Sequence, residues 1–204
     1  MLYPIQNQKS TYSQLNSKFY SFLYKVSSID EVKFYLKVLK EKFPDASHIC
    51  YAYRLFDGFT ILNDINTSDF SADAGEPRGS AGPPILKILK KFKMINSSIF
   101  VVRYFGGKKL GIPGLIEAYS KSSELVIDSE NMKEWFPTTD IKLYYPYSIE
   151  NKMNNLFSIF DITIKKQEFK ESIYSVIQLN QFKMNDFMDK IRNFPDCKVY
   201  YNKN

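Results

Sequence analysis

The residues of this 204-residue chain best suited to chemistry stand in two glycine clusters. The first is Asp73-Ala-Gly-Glu-Pro-Arg-Gly-Ser-Ala-Gly-Pro-Pro84 and the second is Arg103-Tyr-Phe-Gly-Gly-Lys-Lys-Leu-Gly-Ile-Pro-Gly114. All eight glycines lie between Gly58 and Gly114. Glycine is used where the backbone must reach positive φ or where another group must approach closely, at an entropic cost. Each cluster runs into a helix start, which presents free N–H groups and the positive end of the helix dipole. Arg103, Lys108 and Lys109 add positive charge, and an arginine can fork onto a phosphate. The spacing predicts an anion or phosphate-backbone site built from Gly75, Glu76, Arg78, Gly79, Ser80 and Gly82 of the first cluster. Arg103, Tyr104, Phe105, Gly106, Gly107, Lys108, Lys109, Gly111 and Gly114 of the second complete it. Ser80 is read as a hydroxyl cap, and Tyr104 and Phe105 would stack on bases if exposed. Neither cluster is a Walker A loop, and neither matches Gly-x-Gly-x-x-Gly. The competing reading is that the glycines only shape tight turns and close helix–strand packing.

No catalytic set, metal site or cofactor is expected. Glu76 has no partner acid or nucleophile at a working spacing, so it reads as a structural carboxylate accepting backbone N–H groups. His48 is the sole histidine, and on a strand it shares a face with Cys50. Adjacent same-face strand positions rarely give nucleophile–base geometry, and no orienting group is evident, so a packed histidine is expected. One histidine cannot supply the ligands of a dinuclear metallopeptidase.

The formal net charge is +6. Between Gly75 and Lys121 stand nine Lys and Arg against Glu76 and Glu117, a net of +7, so the rest of the chain carries −1. A localised positive patch attracts nucleic acid, acidic proteins or anionic ligands; the bland alternative is a lysine-rich solvated face. The 17 Phe and 15 Tyr give ample core material. No apolar run reaches transmembrane length and the first residues do not read as a signal peptide, so no membrane contact is expected. Cys50 and Cys197 form neither a metal spacing nor a disulfide framework, and a reducing cytoplasm is the default.

The elements that must hold these clusters are legible in part. A strand is expected over Asn16 to Ser27. A helix follows, capped by Ser28 or Asp30, with Val32, Leu36, Leu39 and Phe43 on one face, and Pro44 ends it. His48 to Leu55 reads as a strand and Asp57-Gly58 as a hairpin turn. A helix follows Ser80, with Pro83 and Pro84 in its first turn. Ser98 to Tyr104 reads as a central strand, and a helix runs from Pro113 to about Asp128. Ser129 to Thr139 is read as a linker, giving domains over 1–130 and 139–204. The second domain has the β-α-β-β-α-β order of the ferredoxin-like split βαβ pattern. Met153, Leu156 and Phe157 read as its core stripe, and no site is evident in it. The fold class is α+β.

Together the clusters resemble the signature of the IMPACT/YigZ family. The residues are Gly75-Glu-Pro-Arg-Gly-Ser-Ala-Gly82, Val101-Val-Arg-Tyr-Phe-Gly-Gly107 and Leu110-Gly-Ile-Pro-Gly-Leu-Ile-Glu-Ala-Tyr119. Asp45-Ala-Ser-His48, leading into Cys50-Tyr-Ala-Tyr53, resembles the strand that precedes them, and the resemblance covers roughly Asn16 to Ser129. It implies an N-terminal domain like one in a ribosomal protein and in domain IV of elongation factor G, and a C-terminal domain like domain V of that factor. Eukaryotic relatives are linked to translational control. Three positions depart from the family pattern: Ala74 replaces an acid, Ser80 a threonine and Pro113 a glycine. The resulting expectation is a non-enzymatic regulator that binds RNA, the ribosome or a translation-associated protein through the basic glycine-rich face. The alternatives are an enzyme acting on a phosphate-bearing small molecule at the same loops, or a regulator that binds only protein.

Overall fold

The structure, a computed structural model, describes residues 1–61 and 64–201. Residues 202–204, assigned above to the second domain, lie outside the described residues. The protein is a mixed α and β chain that divides into two compact units, Met1–Trp135 and Phe136–Asn204.

The first unit runs β1 (Leu2–Pro4), β2 (Gln8–Gln14), β3 (Ser17–Lys25), α1 (Ile29–Lys42), β4 (His48–Phe59), β5 (Ile65–Ala72), α2 (Gly82–Lys91), β6 (Ser97–Tyr104), α3 (Gly111–Leu125) and β7 (Met132–Glu134). Five strands form an antiparallel sheet in the order β2-β3-β6-β4-β5. β6 lies at its centre and is buried along its length up to Arg103. Helices on both faces explain why it reads as a continuous apolar run rather than an alternating one. On one face α1 packs Val32 and Leu39 with Phe22, Tyr53, Phe100 and Val102. On the other, α2 and α3 pack Ile85, Leu89, Leu115 and Tyr119 with Phe19, Cys50 and Val101. The strand period of two therefore sets the aim of the polar residues that follow. Arg103 shares the α2/α3 side with Val101, and His48 shares it with Cys50. The helix α1 starts at a side-chain N-cap: Ser28 Oγ accepts the Glu31 N–H at 3.2 Å, and the Glu31 carboxylate accepts from the N–H and hydroxyl of the preceding Ser27.

Three features differ from the sequence reading. β2 and β5 carry little apolar periodicity because they are the polar, half-exposed edges of the sheet. Asp57-Gly58 is not the hairpin turn but a bulge inside β4, where the register with β5 shifts between Phe56 and Phe59 and Gly58 takes φ 81°. The stretch read as a linker contains β7, which pairs with β1, and its Trp135 ring lies 4.9 Å from that of Phe56.

The second unit runs β8 (Thr138–Tyr145), α4 (Glu150–Ile159), β9 (Thr163–Phe169), β10 (Ile173–Asn180), α5 (Met184–Ile191) and β11 (Lys198–Tyr201). Its antiparallel sheet has the order β11-β8-β10-β9. The helices cover one face, where Met153, Leu156, Phe157 and Phe187 pack on Ile141, Leu143, Ile173 and Ile177.

Candidate functional site

The first cluster begins where β5 ends. Ala74 and Gly75 take φ 48° and 91°, turning the chain back so that Asp73 faces the start of α2. Its carboxylate accepts three backbone N–H groups, from Gly79 at 2.7 Å, Ala81 at 3.0 Å and Gly82 at 2.8 Å. Burial works against ionisation of Asp73, but these three bonds and the nearby Arg78 outweigh it and hold the carboxyl below its ordinary pKa. The anion expected at this helix start is therefore supplied from within the chain. Sequence reading missed Asp73 as a cap because it stands nine residues before Gly82 rather than at the N-cap, which is Ala81. Ser80 does not cap either; its buried hydroxyl donates to the Pro77 carbonyl at 2.6 Å. Gly82 is required by close packing, since a Cβ there would sit 2.7 Å from the Ala72 nitrogen.

Glu76 and Arg103 are a buried pair, with side chains 3% and 6% exposed and Arg103 Nη1 2.6 Å from Glu76 Oε1. The Tyr119 hydroxyl donates to the same oxygen at 2.8 Å. Cys50 Sγ lies 3.3 Å from that hydroxyl and 2.9 Å from the Asp73 carbonyl oxygen. His48 Nδ1 is 3.0 Å from the Ala74 carbonyl, which can only accept, so this nitrogen carries the proton. The other ring nitrogen faces Glu76 Oε2 at 4.0 Å. Arg103 Nη2 reaches Ser17 Oγ at 3.3 Å, and Ser17 Oγ also accepts the Gly106 N–H at 3.2 Å. The two clusters are thus joined through a buried polar network.

The network corrects two expectations. Arg103 does not point outward to fork onto a phosphate, because strand parity aims it at Glu76. Glu76 is held by Arg103 and Tyr119, not by backbone N–H groups. Nothing in the network is an activated nucleophile. Burial pushes the Cys50 thiol up to about 12 and drives the Tyr119 hydroxyl above its ordinary value. Among the described residues no three His, Cys, Asp or Glu side chains gather as a metal site requires.

The second cluster keeps an open face. At the end of β6, Tyr104 is half-buried edge-on to Tyr20, with ring centroids 6.0 Å apart, and the following Phe105 is 49% exposed. The Phe105 N–H is fixed by Ser47 Oγ at 3.0 Å. Gly106 packs so closely that a Cβ would collide with the backbone of Asn16 and Ser17. Gly107 takes φ 84° and turns the chain outward, leaving Lys108 and Lys109 exposed. Gly111 and the half-buried Gly114 lie in the first turn of α3, which has neither an acidic residue nor a side-chain cap. Beside this loop is a groove of about 380 Å³ lined by Asn16, Lys18, Tyr20, Phe43, Tyr104 and Phe105. Arg78 is exposed on the first loop. Part of the basic excess is neutralised internally, since Lys90 pairs with Asp69 at 3.0 Å and Lys91 with Glu124 at 2.7 Å.

Comparison with known proteins bears on this arrangement. A curated IMPACT family member, YvyE of Bacillus subtilis, is 38% identical over 106 residues, 52% of this chain and 46% of that protein. The match therefore spans about half the length of that relative. The family member YigZ of Escherichia coli is 26% identical over 178 residues, 87% of this chain and 85% of the relative. A crystal structure of a hypothetical protein superposes with a TM-score of 0.61 at 22% identity, covering 99% of this chain and 97% of the other, a likeness of fold. The two-domain translational regulator Yih1 reaches a TM-score of 0.35 at 24% identity over 59% of this chain and 47% of its own, too low to argue from. Residues 15–127, more than half of the chain and inclusive of both glycine clusters and the network between them, match the Impact N-terminal domain; the chain belongs to the IMPACT/YigZ family.

Proposed function

We propose that the protein is a non-enzymatic regulator of translation that binds RNA through its second glycine loop and the aromatic groove beside it. The observation that carries this reading is the division of labour between the clusters. The first loop has its helix start filled by Asp73 and Glu76 buried against Arg103, with Arg78 its one exposed charge. The second leaves Phe105, Lys108 and Lys109 exposed next to an uncapped helix start. Cations beside exposed aromatic rings suit a single-stranded nucleic acid, whose phosphates attract lysines and whose bases stack on rings. The groove is an open trough on the surface, which suits a polymer better than an enclosed small substrate. The implied likeness of the first unit to a ribosomal protein and to elongation factor G domain IV, and of the second to domain V, points the same way by analogy of fold. The family tie to translational control supplies the setting.

The test is fluorescence anisotropy of labelled single-stranded RNA, titrated with the full chain and its Lys108→Ala/Lys109→Ala variant over a series of salt concentrations. Each phosphate neutralised contributes about 0.7 to the slope of log K against log salt for single strands, so the double variant should flatten it by about 1.4. Unchanged affinity and slope would sink the reading. Binding of an acidic protein with no affinity for RNA would replace it with a protein-binding regulator. Salt-insensitive binding of a phosphate-bearing small molecule would favour an enzyme.

A further inference from the structure

The second unit carries a feature that the family-matched region does not include. Its sheet is covered by helices on one face only, and the strand period of two sends a separate set of side chains to the other. On β8 the buried residues are Ile141, Leu143 and Tyr145, so Lys142 and Tyr144 stand on the open face. On β10 the buried residues are Ile173, Ser175, Ile177 and Leu179, so Tyr174 and Val176 stand there. The register aligns these side chains into two rows. One row crosses the sheet as Lys198, Tyr144, Tyr174 and Glu168, and the next as Tyr200, Lys142, Val176 and Lys166.

The three tyrosines form one surface. The ring centroids of Tyr144 and Tyr174 are 4.7 Å apart, tilted by 34°, and those of Tyr144 and Tyr200 are 5.8 Å apart, edge to face. Tyr144 is 40% exposed and Tyr200 is 54% exposed, although both are large enough to be worth burying. Tyr144 and Tyr200 line a groove of about 1050 Å³ that also takes in Lys142 and Lys198, with Asp196 along it, and Tyr174 packs against Tyr144 beside it. Glu168 at the far end is neutralised by Lys166 at 2.6 Å and Lys170 at 3.2 Å. The face therefore offers adjoining aromatic rings interleaved with lysines.

We infer that this face is a binding platform for single-stranded RNA, separate from the second glycine loop. The face and a single strand are complementary. Adjacent rings on the two central strands of a four-stranded β-α-β-β-α-β sheet are the device by which RNA-recognition sheets stack successive bases. Lys142 and Lys198 lie within the same rows and would meet the phosphates between those bases. A protein partner would bring carboxylates to the lysines but no flat faces in series for the rings. Duplex RNA hides its base faces and cannot use the rings.

The experiment uses the full chain and a fluorescein-labelled oligouridylate of about 12 nucleotides, within the site sizes of single-strand binders. The chain carries Lys108→Ala and Lys109→Ala throughout, so that loss of binding at the glycine loop is separated from loss at the sheet. Tyr144→Leu/Tyr174→Leu removes the rings but keeps apolar bulk, and Tyr144→Phe/Tyr174→Phe keeps the rings. The leucine pair should weaken binding by about tenfold or more, and the phenylalanine pair should stay near the parent. A role for the hydroxyls rather than the rings would weaken the phenylalanine pair as much as the leucine pair and overturn the inference. Equal affinity of the leucine pair and the parent, equal affinity for duplex and single strand, or no RNA binding at all would also overturn it. If the leucine pair fails to fold by circular dichroism, Lys142→Ala/Lys198→Ala tests the same face. An unchanged salt slope in that variant counts against the inference.

Discussion

Asp73 is the residue that most changes how the first glycine cluster should be understood. Its carboxylate does the work an external phosphate would do at the start of α2, and it frees none of the three N–H groups for a ligand. Asp73→Ala should lower stability by about 2 kcal/mol, the scale of hydrogen bonds to a charged group, as read by urea denaturation. The sign with pH follows from its lowered pKa. The stabilisation is complete above the unfolded-state value of about 3.9 and is lost as pH falls through the lower folded-state value. The wild-type chain should therefore lose stability in that acid window, and Asp73→Ala should lose less of it there. Glu76 and Arg103 act as a unit. Glu76→Ala strands a buried guanidinium whose Nε already lacks a partner, and should cost about 3–5 kcal/mol. The double variant Glu76→Ala/Arg103→Met should cost less than the sum of its singles, measured as a denaturation double-mutant cycle. Cys50, with its thiol pushed up to about 12, should resist iodoacetamide at neutral pH until the chain is unfolded, whereas a reactive folded-state thiol would reveal a nucleophile.

At the scale of elements, the second loop is held by contact at one glycine and by conformation at its neighbour. A methyl group at Gly106 would enter the backbone at the β2–β3 turn, so Gly106→Ala should destabilise by about 3 kcal/mol. Gly107 meets open space but has φ 84°, so Gly107→Ala should cost only about 1–2 kcal/mol, both measured by thermal or urea unfolding. The elements differ in how readable they are. The central strand β6 and the helices announce themselves by apolar runs and periodicity, because tertiary packing and local pattern agree there. β2 and β5 do not, because an edge strand with polar side chains has no core face to advertise. The loop positions of the site were legible from glycine and charge. Their aim was not, because it depends on strand parity and on partners 27 residues apart, as with Glu76 and Arg103. The tyrosines of the second sheet were not singled out in the sequence, because what groups them is their alignment across strands, which only the register shows.

At the scale of the whole molecule, two units each present aromatic rings beside lysines, one at a loop and one on a sheet. The first unit is the family-matched part, and its buried network fixes the loop that carries the exposed residues. On the function proposed above, RNA meets that loop. That contact is tested most directly by ultraviolet cross-linking of single-stranded RNA to the full chain, followed by mass-spectrometric mapping of the linked peptides. Cross-links are expected at Tyr104, Phe105 and the adjoining Lys108 and Lys109, lost in high salt. Cross-links confined to the second unit, or no cross-linking at all at low salt, would contradict it.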